Sequence, residues 1–240
     1  MWLPLQLYKW IVVIPVMVLS TMLASIFVIL LSVLGMPDFA SRFFGTGWAK
    51  LNMFFSLVSV EVQGRELVNP EQSYIIVANH QSLADIYVVY GYSGIDFKWV
   101  MKKELRSIPL FGLACELMGH IIVDRSNTTA ALESINLARS RIKDGISVVF
   151  FAEGTRSRKG EINQFKKGAF RLALELGLPV LPVSIHNTNK VLPSDTLDWH
   201  PGHVKLKFHD PISTTGMDTK DISALRDQTR IVIADALTQD

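Results

Sequence analysis

With a single cysteine among its 240 residues, Cys115, the chain has no internal disulfide to form. That excludes the disulfide framework of small secreted domains and makes the cytoplasm the simplest setting for the main body of the chain. Charge is missing altogether from Trp10 to Pro37, a run of 28 positions. As helix this run would reach roughly 42 Å, against a bilayer hydrocarbon core of roughly 30 Å. It reads as a membrane segment, since a cleaved signal peptide has an apolar region of only about 7 to 15 residues followed by a small-residue cleavage site. Pro15 is expected to kink the helix near its start, and Pro37-Asp38 to end it. Repeats and low-complexity tracts are also lacking.

The stretch from about Phe39 to Val58 differs in character. Phe44, Trp48, Leu51, Phe55 and Val58 share one helical stripe, with Arg42, Lys50 and Asn52 elsewhere. Two readings fit: a helix lying in the membrane interface, or a helix packed on the domain that follows. Lys9, Arg42 and Lys50 lie on both flanks of the apolar run, so basic residues orient it only weakly. The expected organisation is a two-helix membrane anchor over residues 1–57 and a single folded domain over 58–240, at a cytoplasmic membrane with that domain facing the cytoplasm.

After the anchor, short apolar runs alternate with helical patterns. Strands are expected at Val58–Val62, Tyr74–Ala78, Phe97–Met101, His120–Val123, Ser147–Ala152, Val180–Ile185 and His203–Phe208, and helices at about 83–90, 104–118, 128–143, 166–176 and 221–237. The alternation implies an α/β fold, a mixed sheet flanked by helices. The stretch from His186 to Gly202 is the longest irregular piece, a lid or plain surface.

His80 and Asp85 stand where an apolar strand runs into a helix. Were residues 80 to 85 all helical, the two side chains would lie about 140° apart, because each residue turns about 100°. They meet only if His80 precedes the helix and Asp85 sits in its first turn, with Ser82 as N-cap. The plainer reading of Ser82-x-x-Asp85 is a capping box. At the carboxyl end of a strand, where open α/β sheets carry their sites, the pair forms a base with an orienting carboxylate. Imidazole takes a proton at neutral pH and returns it to a leaving group.

A second cluster, Glu153-Gly154-Thr155-Arg156, ends another apolar strand. Arg156 offers a planar fork matched to a phosphate. Glu153 either hydrogen-bonds an acceptor hydroxyl or holds Arg156, and Gly154 permits close backbone approach. A local Glu153–Arg156 salt bridge is the competing reading. Residues 153–171 carry six cations (Arg156, Arg158, Lys159, Lys166, Lys167, Arg171) against Glu153 and Glu161, +4 locally; the whole chain being +2, the rest sums to −2. Such a patch draws anions, unless it is only a solvated surface run.

Asn79-His80-Gln81-Ser82-Leu83-Ala84-Asp85 resembles the H-x4-D motif of the glycerolipid acyltransferases, in particular the 1-acyl-glycerol-3-phosphate acyltransferases. Three blocks follow in the family's order: Lys102-x2-Leu105-x6-Gly112-x12-Arg125, then Phe151-Ala152-Glu153-Gly154-Thr155-Arg156, then Leu178-Pro179-Val180-Leu181-Pro182-Val183. The resemblance covers about residues 58–190. It implies that His80 and Asp85 form the catalytic dyad, that Lys102, Arg125 and Arg156, with Glu153, Gly154 and Thr155, bind the acceptor, and that Pro179 and Pro182 line the acyl channel. Motif spacing selects Lys102 over the adjacent Lys103. The implied reaction moves a fatty acyl group from acyl-CoA or acyl-carrier protein to the sn-2 hydroxyl of lysophosphatidic acid. It involves membrane lipid but no cofactor, no metal and no nucleic-acid partner.

Other readings remain. Another lysolipid is an alternative acceptor. A serine-type lipid esterase would also use His and Asp, but Gly91-Tyr92-Ser93-Gly94 lacks the G-x-S-x-G spacing of a nucleophile elbow. A membrane tether without catalysis is a third. A metal site at His200, His203 and His209 lies in a Pro/Gly loop without companion cysteines.

Overall fold

The computed structural model describes residues 3–124, 142, 144–157 and 162–238 of the chain. The helix expected at about 128–143 lies outside the described residues. Seven strands form one mixed sheet: β1 (Val58–Gln63), β2 (Ile75–Ala78), β3 (Phe97–Lys102), β4 (Ile121–Val123), β5 (Ser147–Phe151), β6 (Val180–His186) and β7 (Gly202–Phe208), in the order β1-β7-β6-β2-β5-β3-β4. The central strands run parallel, and among these seven only β6 and β7 pair antiparallel. Every residue of β2 and β6 is buried, as two-sided packing requires; β2 is apolar throughout, and β6 is apolar but for Ser184 and His186, which hydrogen-bond to each other at 2.9 Å.

Pro182 sits inside β6 without breaking it. The Val180 N–H donates to Ile212 O, so the alternate residue Pro182 faces the same side. There the ladder to β7 begins only at Val183, and a missing N–H removes no sheet bond.

The N-terminal segment is one apolar helix, α1 (Leu3–Val33), long and apolar enough to cross a membrane. Its π-helical turn at Lys9–Val13 lies just upstream of Pro15, whose missing N–H disturbs the regular ladder there. The helix ends at Gly35, with φ +82°, and Pro37 starts the next helical piece instead of ending this one. That piece runs through a π-helical turn, Ser41–Gly45, into α2 (Thr46–Phe55).

The aromatic stripe of α2 is divided between two partners. Phe44 stacks on Phe27 of α1 at 5.0 Å, Trp48 packs on Tyr87 of the domain at 4.7 Å while its Nε1 donates to Thr21 Oγ1 at 2.9 Å, and Leu51 stays exposed. Beside Trp48, the face turned to the domain is made of small residues, Ser41, Gly45 and Ala49, continued by Met53. It crosses α3 (Ala84–Tyr92) at Gly91, where even a Cβ would stand 3.2 Å from that of Ala49. Small side chains let the two backbones approach. Lys98 of β3 adds a polar tie, its Nζ donating to Asp38 Oδ1 and to Met118 O at 2.8 Å each. Val13, Val28 and Met53 therefore share a core with Val149 and Val183 of the sheet.

The expected helix over 104–118 is broken. A 3₁₀ turn at Lys103–Ser107 gives way at Pro109 and Leu110, the latter at φ +61°, before α4 (Phe111–Leu117) begins. Proline disfavours helical backbone in the residue before it, so Ile108 is extended. The opposite face of the sheet is covered by α5 (Gly168–Leu176) and α7 (Ile222–Thr238); α6 (Thr188–Val191) is a single turn after β6.

Gly112 is tightly placed: a Cβ there would lie 2.1 Å from the Arg106 carbonyl oxygen. Because the obstacle is backbone, Gly112→Ala is expected to cost about 1–3 kcal/mol, read as a lowered midpoint in denaturant unfolding. An unchanged midpoint would contradict this packing.

Candidate active site

Four neighbouring parallel strands deliver polar residues at their carboxyl ends: β6 leads to Thr188, β2 to His80, β5 to Glu153 and Arg156, and β3 ends on Lys102. The register places Ala78 opposite both Phe151 and Val183, so these ends lie side by side. Just past β2, Asn79 extends the ladder with its amide: Nδ2 donates to Ile185 O at 2.9 Å and Oδ1 accepts the Ile185 N–H at 2.8 Å.

His80 Nδ1 and Asp85 Oδ2 are 2.8 Å apart. Asp85 has no solvent exposure, and the His80 side chain keeps 13%. The capping reading and the orienting reading of Asp85 both hold, because Oδ2 also accepts the N–H groups of Gln81 and Ser82 at 2.7 and 2.9 Å. Oδ1 accepts the Thr188 hydroxyl. A buried carboxylate so supplied keeps its charge without solvent. The imidazole stacks on Phe151 at 3.9 Å, with the planes 9° apart, and Phe151 stacks on Trp99. With Nδ1 taken by Asp85, Nε2 is the nitrogen left for a substrate.

Glu153 neither holds Arg156 nor faces outward. Buried, it accepts the His80 N–H on Oε1 at 2.7 Å and the Asn163 N–H on Oε2 at 2.8 Å, so its carboxylate fixes the backbone that carries the imidazole. Burial pushes its carboxyl up, while those two N–H bonds pull the other way. Ser157 N–H donates to the His80 carbonyl at 2.8 Å, tying the two motif loops together. Gly154 has φ +74°, and a Cβ there would meet the Lys166 amine at 2.8 Å. Thr155 is exposed.

Arg156 Nη2 donates to Asp195 Oδ1 at 2.9 Å, a partner 39 residues away. Lys102 lines the cavity beside His80 and lies 3.2 Å from Glu104, whereas Lys103 turns to Asp124 at 2.5 Å. Arg125 lies outside the described residues.

The cavity at His80 has a volume of about 200 Å³ and apolar walls. Ala24 and Val28 of α1, Trp48 of α2, Trp99 of β3 and Ala114 and Cys115 of α4 supply them. Pro179 and Pro182 are not among its lining residues. The Pro179 carbonyl accepts the Ile75 N–H at 3.0 Å. The two N-terminal helices contribute to the wall of this cavity, which no local motif announces.

Ser82 Oγ donates to Leu192 O at 2.6 Å and accepts the Ala84 N–H at 3.0 Å, the bonds of a cap. The three histidines of the metal reading diverge: His200 meets Asp198, His203 meets Ser59 and Glu61, and His209 meets Ser184. The segment from Leu192 to Trp199 works as a strap. Ser194 Oγ donates to Gln81 O at 2.7 Å, Asp195 holds Arg156, and Asp198 holds the buried Lys9 of α1 at 2.6 Å. Trp199 packs edge-on to Tyr87 at 5.9 Å.

Replacing Glu153 by Gln keeps the shape but turns an NH₂ group toward a backbone N–H. Loss of one such acceptor is expected to destabilise by about 1–3 kcal/mol. Denaturant unfolding with activity per folded molecule measures both effects, and wild-type values for both would remove Glu153 from the support of His80.

Residues 59–186, more than half of the chain, match the acyltransferase family model. A chloroplastic 1-acyl-sn-glycerol-3-phosphate acyltransferase of Brassica napus is 32% identical over 192 residues, 79% of this chain and 54% of that one. The mouse alpha enzyme of the same name is 31% identical over 72% of this chain and 61% of its own length. The chain spans about half the length of the plant relatives it matches. The crystal structure of the 1-acyl-sn-glycerophosphate acyltransferase of Thermotoga maritima superposes with a TM-score of 0.81 at 28% identity, covering 99% of this chain and 95% of that one. With the matched segment enclosing the H-x4-D loop, the Glu153-to-Arg156 turn and the four strands that present them, this chain belongs to the acyltransferase family.

Proposed function

We propose that the protein moves a fatty acyl group from an acyl thioester, acyl-CoA or acyl-carrier protein, to the sn-2 hydroxyl of lysophosphatidic acid, giving phosphatidic acid. The observation that carries this reading is the His80–Asp85 pair, bonded at 2.8 Å, at the mouth of an apolar cavity that Lys102 also lines.

In this mechanism His80 Nε2 takes the proton of the acceptor hydroxyl while Asp85 stabilises the imidazolium. The alkoxide oxygen attacks the thioester carbonyl; collapse of the tetrahedral adduct breaks the C–S bond, and the proton passes from Nε2 to the departing thiolate. No protein nucleophile takes part, in keeping with Ser82 being spent on a cap. Arg156 and Lys102, with Arg125, hold the acceptor's phosphate, and the apolar cavity seats an acyl chain. The phosphate displaces Asp195 from Arg156, exchanging one anion for another. Residues 1–57 serve as the anchor: α1 enters the bilayer and α2 lies along it, its exposed Phe54 toward lipid, which leaves residues 58–240 at the cytoplasmic face.

His80→Ala is expected to lower turnover about 10²- to 10⁴-fold in a protein that still folds, with a thermal midpoint lowered by the loss of one donor to the buried Asp85. Retained turnover in acyl transfer from labelled donor to lysophosphatidic acid would reject the dyad. Arg156→Lys separates the phosphate assignment from the rest. It is expected to lose about tenfold or more with lysophosphatidic acid, the worth of a forked charge-assisted contact, and little with an uncharged monoacylglycerol. Equal losses on both acceptors would refute that role.

A further inference from the structure

Asp85 is supplied from two sides by two different parts of the chain. Its Oδ2 takes His80 Nδ1, Gln81 N–H and Ser82 N–H, all from the loop that carries the dyad. Its Oδ1 takes the Thr188 hydroxyl, 103 residues further on. Thr188 is itself fully buried. It reaches the carboxylate because β6 ends abruptly: Asn187 adopts φ +64°, a left-handed turn that asparagine tolerates, and the chain folds back as α6 toward the dyad. A hydroxyl has one proton to donate, and here the carboxylate receives it.

Three donors on one oxygen fix its position but leave the carboxylate free to turn about the axis through that oxygen. A fourth donor on the other oxygen, anchored in a different element, fixes the plane. The orientation of Asp85 sets the orientation of the imidazole, and with it the direction in which Nε2 points. We propose that Thr188 is a positioning residue for the acyl-transfer site, its hydroxyl locking the plane of the Asp85 carboxylate so that His80 Nε2 meets the acceptor hydroxyl in line. The proposal rests on the reading of His80 and Asp85 as the dyad. Thr188 touches no reacting atom; it acts on turnover and not on the seating of either substrate.

Thr188→Val keeps the shape and removes the donor. The expected result is a fall in kcat of about 10- to 100-fold, the size of one hydrogen bond to a charged group, with KM for lysophosphatidic acid and for acyl-CoA held within about twofold. Thr188→Ser keeps the hydroxyl and is expected to restore kcat to within about threefold of wild type. A purely structural threonine would lower the thermal midpoint and leave kcat per folded molecule intact. Should Thr188→Val not fold, Thr188→Cys carries the same comparison, since a thiol of similar size is a weak donor. Loss of kcat in the cysteine protein with recovery in the serine protein supports the proposal; equal kcat in both overturns it. His80→Ala is assayed alongside. If it is inactive while Thr188→Val or Thr188→Cys turns over like wild type, Thr188 has no positioning role and the dyad stands. If His80→Ala remains active, the dyad itself has failed.

Discussion

Holding one negative charge out of water is the constraint around which the site is built. A carboxylate with no solvent exposure is tolerable only where hydrogen-bond donors replace its hydration, and Asp85 finds them in an imidazole, two backbone N–H groups and a hydroxyl. Each donor imposes geometry on the element that supplies it. The Gln81 and Ser82 amides must face inward, so the chain between β2 and α3 folds tightly around the carboxylate. Thr188 must reach across, so β6 must end where it does and turn. The stack of His80 on Phe151, and the Glu153 carboxylate beneath the His80 amide, then leave the ring little freedom beyond the orientation Asp85 gives it.

Features whose cause is local are legible in the chain. All seven strands lie within a residue or so of their expected places, and the central ones, buried on both faces, are marked most plainly: Ile75–Ala78 is apolar at each position and Val180–Ile185 at all but Ser184. His80 and Asp85, five residues apart across a strand-to-helix turn, are legible for the same reason. Interactions closed by tertiary folding are not. Nothing around Thr188 or Asp195 marks it as the partner of Asp85 or Arg156. The aromatic stripe of α2 marks the face set against the domain only in part: Trp48 packs on Tyr87, while Phe44 stacks on Phe27 of α1. Close helix crossing selects small residues instead, and Gly45 and Ala49 make that contact.

Part of the cavity is made of the first 57 residues. Thr21, Ala24, Ser25 and Val28 of α1 and Trp48 of α2 face Trp99 and Met101 of the sheet across it. The pocket beside His80 is complete only with these helices in place. Polar ties hold them: Trp48 to Thr21, the buried Asn52 to Ser20, and Lys98 to the half-exposed Asp38. The buried Lys9 adds a charge near one end of α1, met by Asp198 of the strap whose neighbouring residues hold Gln81 and Arg156. A helix suited to a bilayer is thereby joined, through one segment, to both polar clusters of the site.

The cavity beside His80 has apolar walls although titratable groups line it. Among the described residues, three titratable groups line the cavity besides His80 and Lys102, and each is biased toward its neutral form. Burial lowers the His120 imidazole to about 3, and its Nδ1 accepts the Trp99 N–H at 3.3 Å as a neutral ring does. The Cys115 thiol is raised to about 12 and the Tyr90 phenol is raised too, in both cases chiefly by loss of water. Desolvation acts on each group in the direction that removes its charge, so the apolar surroundings keep themselves apolar. At Asp85 the protein supplies the hydrogen bonds that burial takes away: an imidazole, two backbone N–H groups and a hydroxyl converge on one carboxylate.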